Sequence, residues 1–287
     1  MIIRGFDAID VFRGAETETA SSTFSCPEAL HAVIERISGD RLGALPIDVS
    51  RDDGLRILAW SARLSPSGPI VLIDRWSSQA RTLRDLVDQH VLPDDAATLL
   101  RRAIDAGLNL LVHGDQSADP RPLMAALIGA LPSSSRRVIV RRGASWPSDG
   151  AIVLDGCDPE VWSCTRRLGS EWLVVEGLEP EDLRPLTALA RHHGGGTIAS
   201  IQARSSAAAL RRMAVFLASR DGDLSGAERL IHESVDLLVG VQPAPGGRHR
   251  VSTINEIRPR GELAELFAWE AESSSLVRTT VASQVLP

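Results

Sequence analysis

The sequence predicts an α/β protein in two parts, a small α+β unit followed by a larger unit built on a mostly parallel sheet. Three observations carry this. The first 76 residues hold short strand-like runs with turn signals between them, such as "GLRILAWSARL" and "PIVLIDRW" on either side of "SPSG". A polar stretch, "SSQART" at 77–82, then breaks the pattern. Beyond it, continuous apolar runs alternate with helical patterns, which is how strands buried on both faces read. The expected boundaries are 1–78 for the first domain, 79–84 for a linker and 85–287 for the second.

In the first part, "IDVFRG" alternates and turns at Gly14, and Pro27 to Ser38 has apolar residues at helical spacing. In the second, Asp94 and Asp95 open a helix that closes at Gly107. The strand "LNLLV" follows, then a polar loop after the glycine, then a helix from about Pro120 to Leu131. "RVIV" and "AIVLDG" are strands, "PEVWSCTRRL" a helix, and "EWLVVEG" and "GTIASIQA" strands again. "SSAAALRRMAVFLAS" is a helix whose Leu210, Met213, Phe216 and Leu217 form a core stripe. The last stretch, "SVDLLVGVQPAPGGRHRVSTINEIRP", reads as a hairpin turned at "PAPGG".

Composition narrows the chemistry. The 287 residues carry 31 basic and 37 acidic side chains, a net charge of −6, so the chain offers no general footprint for nucleic acid. Every basic residue is arginine; there is no lysine and no tyrosine. No lysine is therefore present to neutralise a phosphate or form a Schiff base. Cys26, Cys157 and Cys164 make no metal-like spacing with histidine, and their odd number suits a reducing cytoplasm. The start, "MIIRGFDAID", is charged at Arg4 and Asp7 and does not read as a secretory signal, and no apolar run reaches the ~20 residues of a membrane helix.

A strand, a glycine loop and a helix followed by further α/β units raise the possibility of a P-loop NTPase. The flanks sharpen it. "TLRDLVDQHVLPDDAATLLRRAIDAGLNLLVHG" resembles the approach to the Walker A loop of the secretion traffic ATPases of type II and type IV secretion and Tad pili, the CpaF-like branch in particular. "EWLVVEG" looks like their Walker B strand, "HHGGGTIASIQARSSAAALRRM" like their histidine-box segment, and "SVDLLVGVQPAPGGRHRVSTINEI" like their late hairpin. "SRDDGLRILAW" and "PIVLIDRW" are similar to two strands of their N-terminal domain. The resemblance implies a RecA-like P-loop NTPase domain preceded by a small, PAS-like α+β domain.

The family's chemistry does not carry over residue by residue. A working loop needs G-x-x-x-x-G-K-[ST], with backbone N–H groups converging on phosphates, lysine neutralising them and the hydroxyl holding Mg²⁺. Here "GDQSADPR" keeps Gly114, but Asp119 stands for the second glycine, Pro120 for lysine and Arg121 for the hydroxyl. Proline removes both the charge and an N–H donor. Asp119 and Asp115 would face phosphate oxygens, and a like-charge pair at ~4 Å costs about 4 kcal/mol at an effective dielectric near 20. Asp119 followed by Pro120 reads instead as an N-cap and first residue of an ordinary helix. The carboxylate then takes the phosphate's place at the helix N-terminus.

Other stations of the resemblance are replaced as well. The acidic pair falls on Arg141 and Arg142, and the Walker B glutamate on Gly177 with Glu176 one residue early, which on a strand is the other face. The arginine after that glutamate is Glu179. The first histidine-box position falls in "HHGGG", with His192 and His193 a residue or two early, and the second is Gln202. An arginine that faces nucleotide in the family's N-terminal domain aligns with Asp74, beside Arg75. Arg212 does match, as an exposed helix arginine. No metal site is expected at the histidines, and Trp146 is a candidate contact residue.

The resemblance therefore implies a pseudo-ATPase with neither ATP nor Mg²⁺ as cofactor. Such a chain would serve as a cytoplasmic structural or regulatory subunit of a secretion or Tad-pilus machine. Its partners would be an active traffic-ATPase paralogue or an inner-membrane platform protein, in a homo- or hetero-oligomer. The alternatives are a weakly active ATPase, with Arg121, Arg141 or Arg142 standing in for lysine, and a nucleotide- or anion-sensing protein built on Gly114, Asp115, Asp119 and Arg121.

Overall fold

A computed structural model describes residues 1–13, 16–38, 47–50, 55–65, 68–75, 82–115, 117–141, 150–155, 159–190, 195–244 and 248–286. The chain divides into two compact units, one drawn from Met1–Ser77 and the other from Ser78–Arg142 and Trp146–Pro287.

The first unit is a six-stranded antiparallel sheet in the order β3-β2-β1-β6-β5-β4. Its strands are β1 (Ile2–Arg4), β2 (Ala8–Arg13), β3 (Glu16–Thr19), β4 (Ile47–Ser50), β5 (Leu55–Trp60) and β6 (Ile70–Arg75). Its helix, α1 (Pro27–Ser38), buries Leu30 and Ile34, one turn apart, against Ile3, Ile47, Ile57, Ala59 and Val71 of the strands. The end of "GLRILAWSARL" leaves the strand: Ala62–Leu64 form a 3-10 turn. β1 and β4 are too short, and β3 too polar, to stand out in the sequence.

The second unit opens with α2 (Leu83–Asp88), whose Thr82 and Asp85 make a reciprocal capping box, and α3 (Asp94–Asp105). α3 buries Ala96, Ala97, Leu99, Leu100, Ala103 and Ile104 along one stripe. Then come β7 (Leu110–Gly114), α4 (Arg121–Gly129), β8 (Arg137–Arg141), β9 (Ala151–Asp155), α5 (Pro159–Leu168), β10 (Trp172–Val175), α6 (Leu183–Ala190) and β11 (Thr197–Gln202). α7 (Ser206–Asp221), α8 (Leu224–His232), β12 (Leu237–Ala244), β13 (Arg248–Ile257), β14 (Leu263–Glu270) and β15 (Ser275–Arg278) complete it. The nine strands run β15-β14-β13-β12-β7-β11-β10-β8-β9.

From β12 to β9 all neighbours are parallel, and β13, β14 and β15 extend the sheet antiparallel. Every residue of β7 and β10 is buried, as expected for strands covered on both faces. Each fully buried Leu or Val there contributes ~1.5–3 kcal/mol. The expected closing hairpin is β12 with β13; β14 and β15 continue past it unannounced. Among the described residues no helix is long and apolar enough to cross a membrane.

Candidate functional site

β7 lies between β11 and β12 near the middle of the sheet, and its C-terminal end delivers Gly114 to the loop that leads into α4. The chain is packed tightly here. A side chain at Gly114 would place its Cβ 2.7 Å from Ala118 Cβ and 3.1 Å from the Val241 carbonyl oxygen. The Gly114 carbonyl in turn accepts the Ala203 N–H at 2.8 Å, which ties the loop to the end of β11.

Four of the loop's backbone donors, those of Ser117, Ala118, Asp119 and Arg121, have acceptors within the protein. Asp115 Oδ1 takes the N–H of Ser117 at 2.9 Å, the N–H of Ala118 at 3.0 Å and the Ser117 hydroxyl at 2.5 Å. That is an Asx turn closed on its own carboxylate. The Asp119 N–H donates to His249 Nδ1 on β13 at 3.2 Å. Pro120 has no N–H. The Arg121 N–H donates to Asp119 Oδ1 at 3.0 Å.

Asp119 and Arg121 also meet side chain to side chain. Arg121 Nε donates to Asp119 Oδ1 at 2.7 Å and Arg121 Nη2 to Oδ2 at 2.9 Å, a two-pronged pair with both side chains about four-fifths buried. Asp119 thus accepts the N–H of the first helical residue and grips its side chain, whereas the N-cap position expected at Asp119 falls on Pro120, which has no side-chain cap. Regular helix starts one residue later than the sequence suggested. Pro120 has helical angles (φ −77°, ψ −12°), but its carbonyl accepts the first helical bond, from Met124 N, and α4 runs Arg121–Gly129 rather than to Leu131.

Electrostatics follow these contacts. The Ser117 hydroxyl chiefly, helped by the amides of Ser117 and Ala118 and the charge of Arg204, holds the Asp115 carboxyl below its ordinary range against desolvation. Desolvation pushes His249 below the ordinary histidine range; Arg121 adds to this and Asp119 opposes it. A neutral His249 is what its acceptor role at Nδ1 requires.

Beneath the loop, β7 carries a histidine where the rest of the strand is Leu, Val and Gly. His113 is 3 % exposed, with Nδ1 3.4 Å from the Ala203 carbonyl and Nε2 2.9 Å from Ser206 Oγ. A carbonyl can only accept, so the ring proton sits on Nδ1 and Ser206 donates to Nε2. Asn255 Nδ2 donates to Ser206 Oγ at 2.8 Å and to Thr253 Oγ1 at 3.0 Å. Desolvation lowers His113, and the Ala203 bond opposes it. The Ser–His contact looks like an activated nucleophile, but Ser206 is 4 % exposed and no substrate reaches it. It is a buried brace joining β7, α7 and β13.

No protein-family model matches the chain. Two curated relatives do. A probable conjugal transfer protein TrbB from Sinorhizobium fredii is 28% identical over 280 residues, 91% of this chain and 80% of that protein. Conjugal transfer protein TrbB from Rhizobium radiobacter is 28% identical over 219 residues, 72% of this chain and 64% of that protein. Among solved structures, the Brucella suis type IV secretion ATPase VirB11 in complex with sulphate aligns with a TM-score of 0.51 at 17% identity, over 88% of this chain and 87% of that one. The Legionella pneumophila ATPase DotB aligns at 0.61 and 14% identity, over 90% of this chain and 76% of that one. The pilus retraction motor PilT with bound ADP aligns at 0.56 and 11%, over 86% and 78%.

The fold is that of the secretion traffic ATPases. In sequence the chain is similar to two conjugal-transfer proteins.

Within this traffic-ATPase fold the remaining stations sit as follows. Gly177 follows β10 in a left-handed conformation, φ 63°, with its N–H on Ser200 Oγ at 2.9 Å. A glutamate there would carry a Cβ in a backbone region that L residues avoid. Glu176 precedes it, its N–H on the Val140 carbonyl at 3.0 Å. Glu179 N donates to the buried Asp182, which also receives Trp162 Nε1 at 3.2 Å. Arg141 ends β8, registered beside Asp155 of β9. Gln202 ends β11 opposite Gly114, exposed, and its carbonyl accepts Arg212 Nη1 at 3.1 Å. Arg212 also lies 5.3 Å from the Phe216 ring centroid, so it braces α7.

The structure therefore gathers Gly114, Asp115, Asp119, Pro120 and Arg121 in one loop, with Gln202 registered beside Gly114; Arg141 and Gly177 end other strands. Arg142, Trp146, Cys157, His192 and His193 lie outside the described residues, as do the side chains of Asp74 and Arg75. Among the described residues no cluster of His, Cys, Asp or Glu could hold a metal. His249 and His113 were not singled out from sequence. For His113 the signal was present, a histidine inside "LLVHG"; for His249, 130 residues from its partner, there was none.

Proposed function

We propose that this chain is a catalytically degenerate traffic-ATPase homologue that acts as a structural or regulatory subunit of a secretion or conjugation machine. The observation that supports it is the loop itself. The amides of Ser117, Ala118, Asp119 and Arg121 are spent on Asp115, His249 and Asp119, so a triphosphate would meet two carboxylates and no free amide among those four. No lysine exists to offset them, and Arg121 is held by Asp119. Nucleotide and Mg²⁺ do not fit this arrangement. Gly177 in a left-handed turn adds a second missing function, the base that would orient water.

Retention of both units of the scaffold argues for a role in assembly. In this reading the chain is cytoplasmic and docks on an intact traffic-ATPase paralogue or on an inner-membrane platform protein. The named relatives are conjugal-transfer proteins, which favours a type IV-like machine over the Tad-pilus and CpaF-like branch.

Isothermal titration with Mg-ATP tests the central claim. No saturable heat is expected up to about 1 mM nucleotide, the scale of −4 kcal/mol. Micromolar binding accompanied by phosphate release would overturn the reading. Light scattering with the intact paralogue tests the assembly role, a mixed species being the expected result.

A further inference from the structure

In the second unit, well away in sequence from the loop, α8 and the 3-10 turn Pro259–Gly261 border an open cavity of about 610 Å³. The last turn of α8 supplies Arg229 and His232, and the 3-10 turn supplies Arg260. None of these three side chains has a hydrogen-bond or ion-pair partner among the described residues. Beside them Arg258 is anchored: its Nη2 donates to the Ala282 carbonyl at 2.9 Å, and its Nε lies 3.7 Å from Glu256 Oε1, buried and without a hydrogen bond. Glu228 and Glu233 also border the cavity, so its charge is mixed, with the arginines in excess.

Two features mark the turn as more than a connection. Arg260 is a non-glycine residue in the left-handed region, φ 71° and ψ 10°. A glycine would sit there without strain, and strained residues that persist cluster at ligand-holding sites. The next residue, Gly261, presses its Cα on the His232 imidazole so closely that a Cβ would lie 2.0 Å from Cε1. Turn and ring are thereby fixed against each other, which sets the Arg260 Cα beside His232.

We propose that this cavity is an oxyanion site that takes the phosphate group of a small molecule. Arg229 and Arg260 supply planar, multi-donor guanidinium groups suited to phosphate, and His232 supplies a ring N–H. The site is independent of the degenerate loop and stands whether or not that loop binds nucleotide.

The test is a titration of the whole protein with inorganic phosphate, against chloride at matched ionic strength, followed by backbone amide NMR. Saturable shifts centred on His232 and Gly261 are expected, with a Kd on the order of 1 mM. Arg260→Gly should keep or raise Tm, because it relieves the left-handed strain, while weakening phosphate at least about tenfold. Arg229→Gln should weaken phosphate to a similar degree with no strain to relieve. The proposal fails if chloride produces the same shifts or if both variants bind phosphate as the wild type does. It fails too if the shifts centre on 115–121, a pattern that would instead count against the closed loop.

Discussion

The backbone N–H of Asp119 donates to His249 Nδ1 at 3.2 Å, joining residues 130 apart in sequence. The contact ties the start of α4 to β13, so the loop and the late hairpin hold each other. A phosphate seated in this loop would have to displace that bond, the Asp115 turn and the Asp119–Arg121 pair together.

Asp119 carries the loop, and Arg121 only steadies it. Asp119→Ala removes the acceptor for the Arg121 N–H along with the ion pair, and should cost about 1–2 kcal/mol, the scale of a lost hydrogen bond to a charged group. Arg121→Ala leaves the backbone bond to Asp119 intact, since residue 121 keeps its N–H, and should cost under ~1 kcal/mol. Urea denaturation of both variants decides the order. Equal losses would assign the stability to the ion pair.

Two histidines should make stability fall in mild acid. Desolvation lowers both His113 and His249 in the folded protein. The unfolded chain, with ordinary values near 6.5, then binds protons that the folded chain refuses. Stability is complete above that range and is lost as pH falls from about 6.5 toward the depressed folded values. Denaturation midpoints between pH 8 and 5 should show the decline, and His113→Gln should flatten it. A midpoint constant across that range would contradict the acceptor roles assigned to both rings.

Much of this was legible from residues alone, and the limits have physical causes. The alternation of "LNLLV", "RVIV" and "EWLVVEG" with helices announced the parallel sheet, because strands buried on both faces leave continuous apolar runs. Asp119 and Pro120 announced a helix start through local rules, but the N-cap falls on Pro120 rather than on Asp119. Cap geometry placed the first helical hydrogen bond one residue later than those rules suggested. His249 was invisible, since its role depends on a contact across the sheet that no local pattern encodes. β14 and β15 were missed because each is an amphipathic or short run near the sheet's antiparallel edge, where burial is partial and alternation weak.

Restoring the Walker B residue should damage the fold without restoring chemistry. Gly177 has φ 63°, and its N–H bonds Ser200 Oγ. Gly177→Glu places an L side chain in that region at a cost of about 1–2 kcal/mol. A malachite-green assay should register no phosphate release from ATP above the wild-type background. A gain in turnover from this single change would mean that the loop accepts nucleotide after all.

Rebuilding the phosphate loop separates what was lost from what can be recovered. The triple change Asp119→Gly, Pro120→Lys and Arg121→Thr returns the sequence to G-x-x-x-x-G-K-T. It removes one carboxylate, worth about 4 kcal/mol against a phosphate charge at ~4 Å, and supplies a cation and an N–H at position 120. It also removes the acceptor of the residue 121 N–H and the ion pair, so the variant should be less stable than the wild type. Asp115 still holds the amides of Ser117 and Ala118, which limits the recovery. Mg-ATP should therefore raise the melting temperature of the triple variant and leave that of the wild type unchanged, as linkage requires for a ligand that binds only the folded state. The gain in affinity should be at least about tenfold and below the ~thousandfold that 4 kcal/mol allows. Turnover should stay absent, because Gly177 remains. Equal Mg-ATP stabilisation of both proteins would show that the carboxylates never excluded nucleotide.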